Sequence, residues 1–358
     1  MKRIDLILLI SVLFLTFFGL FMIYDASSFV AFRDFVDKYH FVKDQIFWII
    51  LGLGTLLFFS RFDYHRLYNL ALPILLIAVG LLVAVFIPGI GVKVLGASRW
   101  IDLKFTTLQP SEFVKIALAI YLAAWFSKKE KGRVWSFLLL LGLIIGLVIL
   151  EPDMGTAVII LVEGIVLYFL SGAKIIYFAI LTPVLGVLGF LFAKLEPYRA
   201  ARISAYLNFN QDISGSSYHV RQILIALGSG GLTGVGLGNS LQKYAYLPEN
   251  ATDSIFAIVA EELGFIGALF IIIIFVVIVW RGFYIAMNSK DPFGKLLAGG
   301  ITTFLGMQII INLAAQTALL PLTGIPLPFI SYGGSALIIN LTAIGILLNI
   351  ARQEGARV

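Results

Sequence analysis

The sequence predicts an all-α, polytopic membrane protein: a single integral domain, residues 1–358, with ten transmembrane helices and a long loop between helices 7 and 8. Three observations predict it. The 358 residues are 60% hydrophobic and only 13% charged, with a mean hydropathy of +1.00. Soluble domains carry about 25% charged residues, so a water-soluble globule of this composition would expose far too much apolar surface. Apolar runs recur at the length a bilayer demands, about 20 residues at about 1.5 Å rise each. Most of the scarce cations, finally, gather between those runs.

Ten runs meet the length criterion: 6–24, 45–60, 67–87, 111–127, 134–150, 154–171, 175–194, 254–280, 295–314 and 331–351. The first follows Lys2-Arg3, as a secretory leader would, but its apolar stretch is longer than a leader's and no A-x-A site follows, so it reads as a helix. Span 4 opens on Pro110, well placed in a first turn, with Ser111 or Glu112 free to satisfy open N–H groups. Spans 5 and 6 are joined by the tight turn Glu151-Pro152-Asp153. Thr252 and Asp253 stand before span 8 as an N-cap would. Span 10 is entered through a proline-broken loop, 324–335, of a kind tolerated at membrane depth where backbone lines a cavity.

Ten spans put both termini on one side, and the cations choose it. With the N-terminus inside, the inner segments hold fourteen: Lys2, Arg3, Arg61, Arg66, Lys128, Lys129, Lys131, Arg133, Lys174, Arg281, Lys290, Lys295, Arg352 and Arg357. The short outer loops hold six, Arg33, Lys38, Lys43, Lys93, Arg99 and Lys104. The positive-inside rule therefore makes both termini cytoplasmic. The loop 195–253 is then extracytoplasmic, and its length marks it as functional. Arg199 and Arg202 on one face, an apolar run from Ile223 to Leu227 and a glycine-rich turn suggest short interfacial helices, partly re-entrant.

Composition also excludes chemistry. There is no cysteine, hence no disulfide or thiolate nucleophile. His40, His65 and His219 lie far apart, without zinc-ligand spacing. The net charge of +6 suits anionic membrane lipids, and the scattered basic residues speak against nucleic acid. No internal repeat is evident, against an inverted-repeat transporter.

Ionisable groups inside spans are costly and mark function. Glu112 and Lys115 share one helix face at i,i+3, either as an ion pair ordering the bundle or as a substrate contact. Glu151 and Asp153 are expected at the outer surface, with no basic residue in their turn; helix capping is the plainer explanation. Glu163 is expected to face the bundle interior, and Glu261-Glu262 form an acidic pair inside span 8. The run Gly228–Gly238 matches neither phosphate-binding fingerprint; its amides can cradle phosphate or simply let two helices approach.

The strings Gly96-Ala97-Ser98-Arg99-Trp100-Ile101, Gln109-Pro110-Ser111-Glu112, Pro152-Asp153-Met154-Gly155-Thr156, Leu247-Pro248-Glu249 to Asp253-Ser254-Ile255-Phe256-Ala257, Glu261-Glu262-Leu263-Gly264 and Pro326-Leu327-Pro328-Phe329-Ile330-Ser331-Tyr332-Gly333-Gly334 together resemble the SEDS family, the group of RodA, FtsW and sporulation homologues. The resemblance runs from the first span to the last. It implies a ten-helix enzyme of the bacterial cytoplasmic membrane that polymerises lipid II into peptidoglycan glycan strands at the outer face, with a class B penicillin-binding protein as partner. The family's essential aspartate falls on Asp253, and its fourth-helix Glu and Lys on Glu112 and Lys115. Many relatives have His-Thr-Asp-Phe where this chain has Ala251-Thr252-Asp253-Ser254, so the aspartate is kept without its neighbours. Gly236-Leu237-Gly238 and Tyr246-Leu247-Pro248-Glu249 lean toward the division branch, while the short N-terminus leans toward RodA, which is preferred.

On this reading Asp253 is the catalytic base. Arg99, Lys115, Arg199, Arg202, Arg221 and Lys243 are candidates to hold the departing diphosphate, and Glu112, Asp153 and Ser331 complete the substrate-binding set. A divalent cation such as Mg2+ can share that load, but no ligand set is visible. Two other classes compete. A lipid II flippase would use Glu112, Lys115, Glu163 and Glu262 along a path through the bundle, yet most polar groups crowd the outer half. A non-catalytic scaffold would recruit its partner through helix faces such as Gly142-x-x-x-Gly146.

Overall fold

The computed structural model describes residues 4–94, 97–102, 104, 106–128, 134–173, 216–244 and 246–354. Along these the chain forms α1 (Leu6–Phe35), α2 (His40–Arg61), α3 (His65–Ala84), β1 (Gly91–Val94), β2 (Ala97–Asp102), β3 (Thr107–Leu108), α4 (Pro110–Phe126), α5 (Val134–Leu150), α6 (Met154–Leu170), α7 (Ser216–Gly230), α8 (Ile255–Asn288), α9 (Pro292–Gln316) and α10 (Gly334–Glu354). Nine of the expected spans fall on described residues and each coincides with a helix; span 7, residues 175–194, lies outside them. Six of the described helices are long and apolar enough to cross a membrane, which makes this a mainly helical, multi-pass membrane protein.

The fold is not purely helical. Residues 91–108 form a three-stranded antiparallel sheet in the order β1-β2-β3, with Val92 opposite Trp100 and Ile101 opposite Leu108. Strands of two to six residues are invisible to a search for membrane-length apolar runs. α1 likewise runs to Phe35 instead of ending near residue 24. Two serines of its second half bond within the helix: Ser27 Oγ donates to the Ile23 carbonyl at 2.6 Å and Ser28 Oγ to the Asp25 carbonyl at 3.3 Å.

Burial sorts the helices into layers. The apolar windows of α9 and α10 are 83% and 78% buried, against 22–39% for α1, α2, α3 and α8. α9 and α10 are therefore the central posts, and the others present Ile10, Phe17, Phe58, Leu76 and Val276 outward.

The glycine-rich run and α8 form one device. In an unbroken helix Phe265 and Ile266 would donate to the carbonyls of Glu261 and Glu262. Here Gly264, at φ 68°, interrupts α8. Phe265 and Ile266 donate instead to Gly231 and Leu232 at 2.9 and 3.1 Å, while Val235 and Gly236 donate to the freed carbonyls of Glu261 and Glu262, both at 3.0 Å. The loop is spliced into two helical hydrogen bonds, so the N–H groups of 265 and 266 and the carbonyls of 261 and 262 all keep partners across the break. Only glycine suits position 234: its φ is +81°, and a Cβ there would lie 2.0 Å from the Glu262 carbonyl oxygen.

The Glu261 and Glu262 side chains reinforce the splice. Glu261 accepts from the Ser240 hydroxyl and from Leu241 N–H at 3.3 Å, and Glu262 accepts from Ser240 N–H at 3.1 Å. Lys243 bridges Glu262 at 3.1 Å and Asp25 of α1 at 2.9 Å. The short helical segment 255–263 ahead of the break is thereby pinned to α1 and α7, and it carries Asp253 at its entrance.

Candidate active site

Asp253 immediately precedes Ser254, the N-cap of α8. Its loop is held from several sides. Ser254 N–H donates to the Glu249 carbonyl at 3.0 Å, and Glu249 adopts a left-handed φ of 50° to close that turn. Asn250 Nδ2 reaches the Ala26 carbonyl at 3.1 Å, and Tyr332 N–H donates to the Ala251 carbonyl at 2.9 Å. Ser331 Oγ donates to the Thr252 carbonyl at 2.6 Å and accepts from Leu327 N–H at 2.9 Å. Ser331, expected among the substrate-binding residues, is 4% exposed and lies behind the loop, where it sets the position of Asp253's neighbour.

Two cavities meet at Asp253. The larger, about 390 Å³, is lined by Trp48, Arg99, Trp100, Gln109, Glu249, Thr252, Asp253, Tyr332 and Ser335, among others. The smaller, about 100 Å³, is lined by His219, Glu249, Asp253, Asn312, Gln316 and Thr323, among others. Glu249, Asp253 and Gly324 belong to both walls. A side chain at 324 would lie 3.3 Å from the Asp253 carboxylate, so glycine keeps that wall open. His219 of α7 approaches from the smaller cavity, with Nε2 and Ser254 Oγ hydrogen-bonded at 2.7 Å.

The sheet delivers Arg99 to the larger cavity. Its guanidinium donates through Nε to the Glu151 carbonyl at 3.0 Å and through Nη2 to the Pro152 carbonyl, using two of its five N–H donors. The turn it clasps differs from the expected outer-surface position: Glu151 is fully buried and Asp153 is 5% exposed, with Gln109 Nε2 reaching Asp153 at 3.4 Å and Thr323 and Ile325 packed against Gly155. Asp153 caps α6, accepting from Thr156 N–H at 3.1 Å and Thr156 Oγ1 at 2.8 Å. Among the described residues the Glu151 carboxyl has no hydrogen-bond partner. Burial, aided by the Asp153 charge and opposed by Arg99, pushes it up to about 8. Tyr332, half-buried, donates to Asp44 at 3.3 Å.

Glu112 and Lys115 form a buried ion pair at 2.9 Å that lines neither cavity. It connects to Asp253 by a ladder of amides on α9. Lys115 Nζ donates to Gln308 Oε1 at 2.9 Å, and Gln308 Nε2 donates to the Pro326 carbonyl at 3.2 Å. One turn on, Asn312 Nδ2 donates to the Asp253 carbonyl at 3.2 Å and the Ile325 carbonyl at 2.7 Å; another turn on, Gln316 Oε1 accepts from Ala257 N–H at 2.8 Å. Sequence reading missed this ladder. Its signal was present as three amides at i, i+4 and i+8 in an otherwise apolar span.

The remaining expected site residues are placed apart. Lys243 is 5% exposed and committed to Asp25 and Glu262; these carboxylates outweigh the burial that pulls its pKa down and hold it above the ordinary value. Arg221 is exposed on α7 and lines neither cavity. Arg199 and Arg202 lie outside the described residues. Glu163 is fully buried, with no hydrogen-bond partner for its carboxyl among the described residues. Among those residues no group of three or more His, Asp or Glu is arranged to hold a metal ion.

Fold and site together define a multi-pass membrane protein with a carboxylate, an arginine and aromatic walls in a polar cavity at one end of its bundle. Comparison with known proteins agrees. The family model for FtsW, RodA and SpoVE, described as cell cycle protein, matches residues 5–356, and the chain belongs to that family. It is 41% identical over 357 residues to stage V sporulation protein E of Bacillus subtilis (strain 168), covering 98% of this chain and 97% of that protein. It is 42% identical to the probable peptidoglycan glycosyltransferase FtsW of Trichlorobacter lovleyi, covering 97% of this chain and 93% of that one. Among solved structures, a chain of a peptidoglycan synthase complex that coordinates polymerization and crosslinking superposes with a TM-score of 0.80 at 25% identity, over 99% of both chains. The Thermus thermophilus rod shape determining protein RodA superposes with a TM-score of 0.72, also at 25% identity over 99% of both.

Proposed function

We propose that this chain is a peptidoglycan glycosyltransferase that polymerises lipid II at the outer face of the bacterial cytoplasmic membrane. The observation that carries the reading is Asp253 on the shared wall of two cavities, with Arg99 across the larger one. Full-length likeness to the FtsW relatives supports the activity. The topology that goes with it has ten spans, both termini cytoplasmic and loop 195–253 outside.

In the proposed step the Asp253 carboxylate takes the proton from the acceptor sugar's 4-hydroxyl as that oxygen attacks the donor's anomeric carbon. The bond to the undecaprenyl diphosphate breaks, and the configuration inverts. A carboxylate is a weak base, so stabilising the leaving diphosphate must supply much of the rate. The N–H donors that Arg99 does not spend on the 151–152 turn suit that task. Glu112, Lys115, Ser331 and Lys243 are positioning residues: the pair, its amide ladder, the loop bond and the α1 clamp fix where Asp253 stands. Asp153 acts one step further back, through the α6 cap beneath Arg99, and Arg221 from α7 meets substrate only outside the two cavities.

The likeness to a chain of a peptidoglycan synthase complex supports a class B penicillin-binding protein as partner. Identities of 41% and 42% to SpoVE and FtsW relatives, against 25% to the Thermus RodA, support septal or sporulation synthesis over the RodA assignment expected from the sequence. A flippase would need a path past Glu112, Lys115, Glu163 and Glu262; all four are buried and none lines a cavity at Asp253. The test gives the purified chain, with its partner, labelled lipid II and resolves products by length. Chain growth supports the polymerase; transport of lipid II across liposomes without chain growth overturns it in favour of a flippase.

A further inference from the structure

Arg33, Lys43, Lys115, Lys243 and Arg281 each face a carboxylate at 2.6–2.9 Å. Arg61 and Arg66 do not, among the described residues. They border an open cleft of about 490 Å³ at the junction of α2 and α3, with Leu57, Phe58, Phe62 and Asp63 as its other lining residues. Asp63 does not neutralise them. Its carboxylate accepts from the His65 N–H at 3.1 Å and from Gln353 Nε2 at 3.0 Å, and it sits 2.9 Å from the His65 ring. The Arg66 guanidinium lies over the Phe62 ring at 5.7 Å, and Arg352 of α10 donates to the Arg61 carbonyl at 3.3 Å, bringing a third cation to the rim. One turn deeper, Leu57 and Phe58 are 53% and 58% exposed.

The depth of the cleft is readable from α2. Asp44 and Trp48 stand at the Asp253 end, Asp44 bonded to Tyr332 and Trp48 in the cavity wall. Arg61 follows Asp44 by seventeen residues, about 25 Å of helix, close to the hydrocarbon thickness of about 30 Å. The cleft therefore lies at the membrane face opposite Asp253, at headgroup level, with its apolar wall running on into the acyl region.

We propose that this cleft binds an anionic phospholipid, its phosphate between Arg61 and Arg66 and its acyl chains along Leu57 and Phe58. Two guanidinium forks without carboxylate partners match phosphate oxygens. The exposed Leu57 and Phe58 favour a lipid over a free anion, because inorganic phosphate would leave that wall bare. Basic pockets between membrane helices recognise lipid headgroups by the same chemistry.

The full chain is placed in nanodiscs of phosphatidylcholine with or without phosphatidylglycerol, thermal unfolding is followed, and lipid retention is read by native mass spectrometry. Phosphatidylglycerol raises the wild-type midpoint and is retained; R61Q/R66Q loses the shift and retains about tenfold less, while R61K/R66K keeps part of both. The single variant R66Q, which leaves the Arg352–Arg61 contact alone, must also lower retention. Equal retention by wild type, R66Q and R61Q/R66Q overturns the site. An equal midpoint shift from inorganic phosphate added to phosphatidylcholine discs overturns the lipid as occupant.

Discussion

Replacing Glu151 with Gln tests how the turn beneath Arg99 is built. The carboxyl is fully buried, and its pKa stands at about 8 against an ordinary 4.5. At pH 7 the folded chain holds this proton and the unfolded chain has lost it. Stability is then complete below about pH 4.5, falls as pH rises toward 8, and levels off beyond. Two and a half pH units at about 1.36 kcal/mol each make this about 3 kcal/mol of lost stability at pH 7. Gln keeps the shape and the neutral form, so Glu151→Gln removes the slope and raises the unfolding midpoint at pH 8 more than at pH 5. Midpoints of both proteins, measured at one scan rate across that range, isolate the effect, since every other titrating group is common to them. Parallel curves would refute the burial argument.

Two further substitutions probe the supports of the site. Gly234→Ala places a Cβ 2.0 Å from the Glu262 carbonyl at a left-handed φ, so strain of about 1–2 kcal/mol and two loop bonds of about 1 kcal/mol each are lost together. The unfolding midpoint should fall, whereas Gly54→Ala, with nothing within 4 Å of the new methyl, serves as the control; equal effects would contradict the splice. Lys243→Met leaves Asp25 and Glu262 without their shared cation, a loss of about 3–5 kcal/mol. Lys243→Met/Glu262→Gln should recover part of it in the same unfolding assay, and no recovery would show that the ion pair is not what holds the segment.

Periodicity and length made the membrane helices legible, because a bilayer imposes one apolar run per crossing. The strands at 91–108 were not, since strands of two to six residues leave no such run. Glu112 and Lys115 could be singled out from the sequence because ionisable groups in apolar surroundings stand out; Asp253, by itself an N-cap before an apolar run, stood out only through the resemblance of its string to the SEDS family. What they do in space could not. That Lys243 clamps α1 and that Ser331 sits behind the Asp253 loop depends on contacts between residues far apart in the chain, Lys243 with Asp25 and Ser331 with Thr252, whereas the Asp153 cap, a contact three residues long, was within reach of the sequence. The splice at Gly264 shows the same limit: a run of glycines promises close approach, but not which backbone bonds it will intercept.

The central claim is that Asp253 acts as the base at the meeting of the two cavities. Its most direct test is Asp253→Asn in the purified protein with its partner, measuring lipid II chain growth and lipid II binding on the same sample. Loss of general-base catalysis predicts a fall in chain growth of about 10²–10⁴-fold with binding little changed. Full-length chains at the wild-type rate from Asp253→Asn would contradict it.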